Sequence, residues 1–152
     1  MKSYATHILM MSLFVVVGGL TVANAQVNSD AIFRVNIPFS FNVREKSFPA
    51  GEYSVKYTDD NTNGSGVMEL ATVKGKGKTG IFETIPISVP NAPDQSNLIF
   101  GKVRGKYFLS EIWEDGNPSG NQVEEPVNMK RLEKAGVTRE KEIVKAEMTH
   151  KS

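Results

Sequence analysis

The sequence predicts a mainly β protein, a small antiparallel β-sandwich or barrel followed by a charged helical C-terminal tail. Three observations lead to this fold class. Apolar and polar residues alternate with period 2 in several segments between residues 31 and 113. Turn-forming Gly, Pro, Asn and Asp residues separate those segments, and helical periodicity is almost absent before residue 120.

The first β region runs from Ile32 to Val43, where apolar residues fall mainly on alternate positions. This length predicts a long half-buried strand or a bent pair of strands. Pro38 lies inside it and has no N–H, which favours an edge position or a bend. Pro49-Ala50-Gly51 is a turn signal. The short Arg104-Gly105-Lys106 connection indicates a hairpin. Five further strands are predicted, at Glu52–Tyr57, Val67–Val73, Ile81–Val89, Leu98–Val103 and Tyr107–Trp113.

The composition changes after Trp113. Residues 114–122 are a polar linker, and residues 123–152 are rich in Glu, Lys and Arg. Pro126 suits a first helical turn, and Gly136 is expected to interrupt the segment. Thr138 would then cap a second helix containing Ile143, Val144 and Met148. We therefore divide the chain into residues 1–25, a β domain over 26–122 and a helical tail over 123–152.

Residues 1–25 have the three parts of a cleavable export signal. Lys2 supplies the positive charge, Ile8–Leu20 the apolar core, and Ala23-Asn24-Ala25 the small residues before a cut after Ala25. The apolar stretch is shorter than the roughly 20 residues that a membrane-spanning helix needs. The sequence therefore predicts an exported protein, periplasmic or extracellular, without stable membrane insertion after cleavage.

Removal of this segment leaves a neutral chain. One of the 18 basic side chains, Lys2, leaves with it, so that 17 remain against 17 acidic ones. A neutral chain has no general attraction to nucleic acid or to an anionic membrane. The protein contains no cysteine, so its stability depends on a hydrophobic core rather than on disulfides.

Most standard catalytic arrangements lack their residues here. After cleavage the only histidine is His150, two residues from the C-terminus. Triads that need a histidine base, and zinc sites built from histidine or thiolate, are therefore not expected. A hydrolase that uses paired carboxylates, Glu111 with Glu114 or Asp115, stays open as an alternative.

One loop matches part of a calcium-binding pattern. Asp59, Asn61 and Asn63 stand at alternate positions before Gly64, as in D-x-[DN]-x-[DN]-G. The twelfth position is Leu70 rather than the bidentate Glu, and the flanking segments read as strands rather than helices. Asp, Asn and Gly also form ordinary turns. Calcium is the one cofactor hypothesis, and no other cofactor is predicted.

Aromatic residues of the last predicted strand suggest a ligand surface. In Tyr107–Trp113, strict alternation places Tyr107, Glu111 and Trp113 on one face. An aromatic face with an acid is typical of a sugar-binding or apolar binding surface, although strand aromatics more often belong to a core. These three residues are the candidate ligand site.

Two segments resemble a family of small exported all-β proteins of soil bacteria. Val35–Val43 with Phe48–Val55 is similar to that family's V-x-I-P-F-x-F-x-V and L-P-A-G-x-Y-x-V motifs, with Phe48 in place of leucine. Tyr107–Trp113 is similar to its Y-F-L-S-E-[IV]-W strand. The resemblance implies export and an all-β domain, and it supplies no catalytic residues.

The resulting expectation is a non-enzymatic exported domain that binds a partner in the envelope or outside the cell. Two alternatives are a lipocalin-like or sandwich carrier of an apolar or sugar ligand and the carboxylate hydrolase. The partner's identity does not follow from the sequence.

Overall fold

The computed structural model describes residues 31–58, 66–74 and 77–147. The prediction of a mainly β fold is confirmed, because these residues form ten strands and one short helix. The elements are β1 (Phe33–Ile37), β2 (Phe41–Val43), β3 (Lys46–Phe48), β4 (Gly51–Tyr57), β5 (Val67–Thr72), β6 (Thr79–Ser88), β7 (Asn97–Val103), β8 (Lys106–Trp113), β9 (Ser119–Val123), α1 (Val127–Lys134) and β10 (Glu140–Lys145).

Two of the sequence predictions fall outside the described residues. The export segment, residues 1–25, is one of them. The other is the calcium loop with Asp59, Asn61 and Asn63, which lies in the connection between β4 and β5. His150 lies outside as well.

The ten strands form one hydrogen-bonded sheet that is not closed. Its main path is β1-β4-β5-β6-β9-β8-β2-β3, with β7 and β10 attached to β8 in that order. β8 is the branch point because β7 pairs along one side of it, while β9 and the parallel strand β2 share the other. Strand β1 and the segment that follows β10 come together where the Glu147 N–H donates to the Arg34 carbonyl oxygen at 3.2 Å.

The structure decides one local alternative and confirms one local prediction. The first β region is a bent pair, since β1 ends before Pro38 and β2 begins after it. The Arg104-Gly105 connection joins β7 and β8 as a two-residue hairpin, with φ of 50° and 75°. Two successive positive φ values match the right-handed twist of the flanking strands, and glycine adopts the second of them without steric cost.

The second tail helix predicted after Thr138 is wrong. α1 follows Pro126 and ends before Gly136, whose φ is 81°, but the segment after it is strand β10, antiparallel to β7 along its whole length. A strand places the adjacent Ile143 and Val144 on opposite faces. Val144 packs against the core, and Ile143 stays 51% exposed. The free edge of β7 supplies backbone partners that local sequence cannot reveal.

The stretch interpreted as a polar linker contains strand β9. Its Asn121 is buried, and its side chain accepts a hydrogen bond from the Thr84 hydroxyl at 2.9 Å and donates one to the Tyr57 hydroxyl at 3.0 Å. A buried amide is stable only when it is paired in this way. The polar composition of β9 therefore reflects an internal network rather than a solvated linker.

One hydrophobic core lies inside the curved sheet. At its centre, Phe41 has its ring centroid 5.4 Å from those of Phe48, Tyr53 and Phe100. These four side chains come from β2, β3, β4 and β7 and are at most 1% exposed. Such offset and edge-to-face aromatic contacts stabilise beyond the area that they bury. The aromatic cluster thus connects strands that are distant in sequence.

Tyr53 makes the stability of this core depend on pH. Desolvation raises the pKa of Tyr53 above its ordinary value of 10.0, and its hydroxyl donates to the Pro49 carbonyl at 2.7 Å. Because the folded pKa is the higher one, the unfolded chain releases the proton first as the pH rises. The contribution of Tyr53 to the free energy of unfolding is therefore complete below pH 10.0 and is lost as the pH increases through the pKa of Tyr53 in the folded state.

We expect Tyr53→Phe to lower the free energy of unfolding at pH 7 by about 1 kcal/mol, through loss of one hydrogen bond. Above pH 10 the difference between variant and wild type should shrink, since phenylalanine does not ionise. Urea denaturation of both proteins at pH 7 and above pH 10 measures this difference in the free energy of unfolding. A difference that stays constant with pH would contradict the assignment to Tyr53.

Candidate binding groove

A β-bulge in β8 separates the three residues predicted to form a ligand site. Ile99 pairs with Glu111 and Phe100 with Leu109, which leaves Ser110 as the extra residue on β8. Leu109 and Ile112 consequently both belong to the core, although they are three positions apart. The bulge changes the face on which the later residues lie. Glu111 and Trp113 come together on the outer face, away from Tyr107.

Tyr107 packs against the core instead. Its ring stacks on Phe39 with centroids 3.8 Å apart and 14° between the planes. The Lys102 amine lies 5.6 Å from the Tyr107 ring centroid and 3.2 Å from the Glu140 carboxylate. The hydrogen bond and charge of Glu140 raise the pKa of Lys102, with a smaller contribution from Tyr107. These contacts connect the start of β10 to β7 and β8.

Glu111 and Trp113 line a groove of about 540 Å³ on the outer face of β10, β7 and β8. Ile143, Ile99 and Glu111 are cross-strand neighbours and form one row across these three strands. The connection between β6 and β7, which includes Val89 and Asp94, borders the groove. The groove thus combines apolar side chains with a few charged ones, as ligand and partner sites commonly do.

The Trp113 side chain forms a rigid part of the groove wall. It is only 5% exposed, and its ring lies against Gly120, where a Cβ atom would be 2.5 Å from Cε3. The indole Nε1–H donates to Glu111 Oε2 at 2.8 Å. This bond satisfies the indole N–H and orients the carboxylate toward the groove. The ring edge and the acid are therefore preorganised, whereas the ring face is not free for stacking.

Exposed apolar and charged groups surround this wall. Ile143 is 51% and Val89 36% exposed within the groove. Lys141 and Lys145 flank Ile143 on the same face of β10 and are exposed. In the described part of the chain neither lysine has a carboxylate within 4.0 Å. The β10 side of the groove is thus positive, and Glu111 on β8 places a negative charge on the opposite side.

The connection between β6 and β7 is held in place from two directions. The Asp115 N–H donates to Ser96 Oγ and the Gly116 N–H to the Pro93 carbonyl, both at 2.9 Å. On the other side, the Ala146 N–H donates to the Ser96 carbonyl at 2.8 Å. The border of the groove is therefore tied both to the β8–β9 turn and to the C-terminal segment.

Arg139 fixes the position of β10, which carries Ile143 and both lysines. Its guanidinium donates to Glu125, to Glu133 and to the hydroxyl of Ser110, the bulge residue. It also lies directly over Gly101, where any Cβ atom would collide with it. Charge-assisted hydrogen bonds of this kind are stronger than neutral ones. Arg139 thereby joins α1, β10 and β8.

We expect Arg139→Leu to lower the free energy of unfolding by about 1–2 kcal/mol, because Glu125 and Glu133 lose their partner and the remaining charges are partly screened. Amide hydrogen exchange in β10 should accelerate more than in β4. Arg44→Leu is the matched control, since its ion pair with Glu124 is exposed, and it should change stability by less than about 0.5 kcal/mol. Equal effects of the two variants would contradict this role.

The acid pairs considered for hydrolysis are not brought into one cleft. Glu111 lines the groove and is bonded to Trp113, whereas Glu114 and Asp115 do not line it. Among the described residues, no group of three or more His, Cys, Asp or Glu side chains is placed to hold a metal ion.

The calcium hypothesis has a direct test. If Asp59, Asn61 and Asn63 bind Ca²⁺, the ion stabilises the folded state by mass action, and the melting midpoint should be higher with CaCl₂ than with chelator. Asp59→Asn should remove the difference. An unchanged midpoint in the wild-type protein contradicts the hypothesis.

A second groove, of about 870 Å³, lies over β4 and β5 and is more polar. Both of its lysines have partners within the protein. Lys74 is 3.6 Å from Glu52, and the Lys78 amine donates to the Ser47 carbonyl at 2.5 Å. The groove lined by Glu111 and Trp113, called the Trp113 groove below, is the stronger candidate. Its apolar groups and lysines have no such partners among the described residues.

Sequence reasoning found Glu111 and Trp113 but missed Ile99, Ile143, Lys141 and Lys145. The last three lie in the segment predicted as a helix, and Ile99 was assigned to a strand without a role. The spacing of Lys141, Ile143 and Lys145 at every second position is the signal that could have placed them on one face of a strand.

No protein-family model, curated protein or solved structure matches the chain. Within the described residues, no helix is both long and apolar enough to cross a membrane.

Proposed function

We propose that this chain is an exported, non-enzymatic binding domain that recognises a partner in the envelope or outside the cell through the Trp113 groove. The observation that carries the proposal is the exposure of Ile143 and Val89 beside the preorganised Glu111–Trp113 pair. Apolar side chains that stay in water inside a rigid, charged groove stabilise a complex once a partner covers them.

The shape of the domain favours recognition at the surface. We take the sheet as an open barrel, in which Arg34 of β1 meets Glu147 just after β10. The largest fully buried side chains, among them Tyr53, Phe41 and Phe100, fill its interior. An internal carrier site for an apolar ligand would have to displace this aromatic cluster, whereas the outer groove is available without rearrangement.

Export is the second part of the proposal. It rests on the signal pattern of residues 1–25 and on the resemblance to small exported all-β proteins. The balanced charge of the remaining chain supports a partner other than nucleic acid or an anionic membrane. Absence of catalysis is proposed because Glu111 is bonded to the indole and has no second acid from Glu114 or Asp115 in the groove.

Ile143→Glu tests the groove, and Ile81→Glu is the matched control. Both isoleucines are exposed on the outer faces of strands, at 51% and 57%, and only Ile143 lines the Trp113 groove. Tagged wild-type and variant proteins are used to capture partners from envelope extract and to probe glycan and lipid arrays. The chain has a single tryptophan, so Trp113 fluorescence then reports directly whether a purified partner reaches the groove.

We expect a specific partner to bind wild type and Ile81→Glu but not Ile143→Glu, and to change Trp113 emission. A partner that binds all three proteins equally would contradict the groove as the binding site. Hydrolysis of an array substrate that Glu111→Gln abolishes would contradict the non-enzymatic assignment and favour the carboxylate hydrolase.

A further inference from the structure

The distribution of charge in the Trp113 groove points to a particular partner. We infer that the groove binds the same groove of a second copy of this chain, in a face-to-face contact with two-fold symmetry. This inference rests on the proposed function, because it names the partner of the same surface.

Opposite charges lie on opposite sides of the groove. Lys141 and Lys145 stand on β10 on either side of Ile143, and Glu111 stands two strands away on β8, with Ile99 of β7 between the two strands. Asp94 borders the groove from the β6–β7 connection. In a contact with two-fold symmetry, a residue i of one copy that contacts residue j of the other is matched by residue j of the first copy contacting residue i of the second. A two-fold axis that runs parallel to the strands at Ile99 would therefore place the lysines of one copy opposite Glu111 of the other.

The apolar centre suits the same arrangement. Ile143 is 51% exposed on one side of Ile99, which is 8% exposed. In the symmetric contact Ile143 of each copy would enter the groove of the other, beside Val89 and the edge of Trp113. This geometry surrounds an apolar centre with charged groups, as stable interfaces do. A partner of uniform charge would repel either the lysines or the acids.

The rest of the molecule does not oppose association. After export the chain carries 17 acidic side chains and, without Lys2, 17 basic ones, so two copies have no net repulsion. The groove border is rigid, since the β6–β7 connection is bonded to the β8–β9 turn and to Ala146. Little conformational freedom is lost when a second copy binds to such a preorganised surface.

The test is a charge exchange measured by sedimentation equilibrium from micromolar to millimolar concentration. One variant carries Lys141→Glu with Lys145→Glu, and the other carries Asp94→Lys with Glu111→Lys. Wild type and the control Ile81→Glu should dimerise. Each charge variant alone should dimerise at least about tenfold more weakly, because like charges then face each other. An equal mixture of the two variants should recover the dimer.

Three results would overturn the inference: a wild-type protein that stays monomeric, charge variants that each dimerise on their own as tightly as wild type, or a mixture of the two variants that does not associate. Circular dichroism identifies a variant that fails to fold, and Ile143→Glu alone, which should be monomeric, then replaces it. If wild type is monomeric while Ile143→Glu still abolishes binding of a glycan, lipid or other protein, the second copy is excluded and the proposed binding function stands. If wild type is monomeric and Ile143→Glu also leaves the binding of such a partner unchanged, both proposals fail.

Discussion

Replacement of Phe41 by alanine is expected to lower the free energy of unfolding by about 3–5 kcal/mol, the cost typical of a buried phenylalanine. Phe41 is 1% exposed, and its ring contacts Phe48, Tyr53 and Phe100. It belongs to the three-residue strand β2, which joins β3 to β8. The cavity left by the ring therefore weakens both the aromatic cluster and one branch of the sheet.

Urea denaturation followed by circular dichroism measures this loss. Phe41→Leu is a milder variant that keeps the experiment informative if Phe41→Ala does not fold, and it should cost less than half as much. Phe108→Ala is the matched control on β8, since Phe108 is half-buried and outside the core cluster. If Phe108→Ala destabilised the protein as strongly as Phe41→Ala, the central role of the aromatic cluster would be wrong.

Gly120→Ala should lower the free energy of unfolding by about 2–3 kcal/mol, a large effect for one added methyl group. The new Cβ atom would lie 2.5 Å from Trp113 Cε3, so the indole has to move. Movement breaks the hydrogen bond from Nε1 to Glu111 and exposes a ring that is now 5% exposed. The groove should then lose its preorganised acid together with stability.

Trp113 is the only tryptophan of the chain, so its emission should shift to longer wavelength in Gly120→Ala under native conditions. Gly66→Ala is the matched control, because a Cβ atom there meets nothing within 4 Å and its φ lies outside the left-handed region. That variant should keep wild-type emission. Wild-type emission and stability in Gly120→Ala would refute the close packing of Trp113 on Gly120.

Much of the β domain was predictable because local patterns determined it. Alternation located β4 to β8 to within about two residues, the proline at position 38 marked a bend, and Arg104-Gly105 marked a hairpin. These signals depend on residues that are close in the chain. β10 was mispredicted because its Glu and Lys residues suit a helix as well as an exposed strand, and only the edge of β7 decides between them.

The candidate site was half predictable for the same reason. Glu111 and Trp113 are two positions apart, so that strand geometry alone places them on one face. Tyr107 was expected beside them, but the extra residue Ser110 shifts the pairing of β8 with β7. The bulge carries no signature in the sequence YFLSEIW. The contact that holds the bulge residue comes from Arg139, 29 residues later in the chain. Its guanidinium donates to the Ser110 hydroxyl and lies over Gly101.

The sequence by itself therefore determined the mainly β character of the protein, the hairpin and the placement of Glu111 beside Trp113 on one face, because each follows from neighbouring residues in one strand or turn. The tertiary structure decided where the groove lies and which side chains surround it. Gly120 accommodates the indole, Gly101 accommodates Arg139, and β10 brings its lysines to the outer face of β7. Those contacts join residues that are far apart in the chain, and their energies come from packing and hydrogen bonding that local periodicity does not encode.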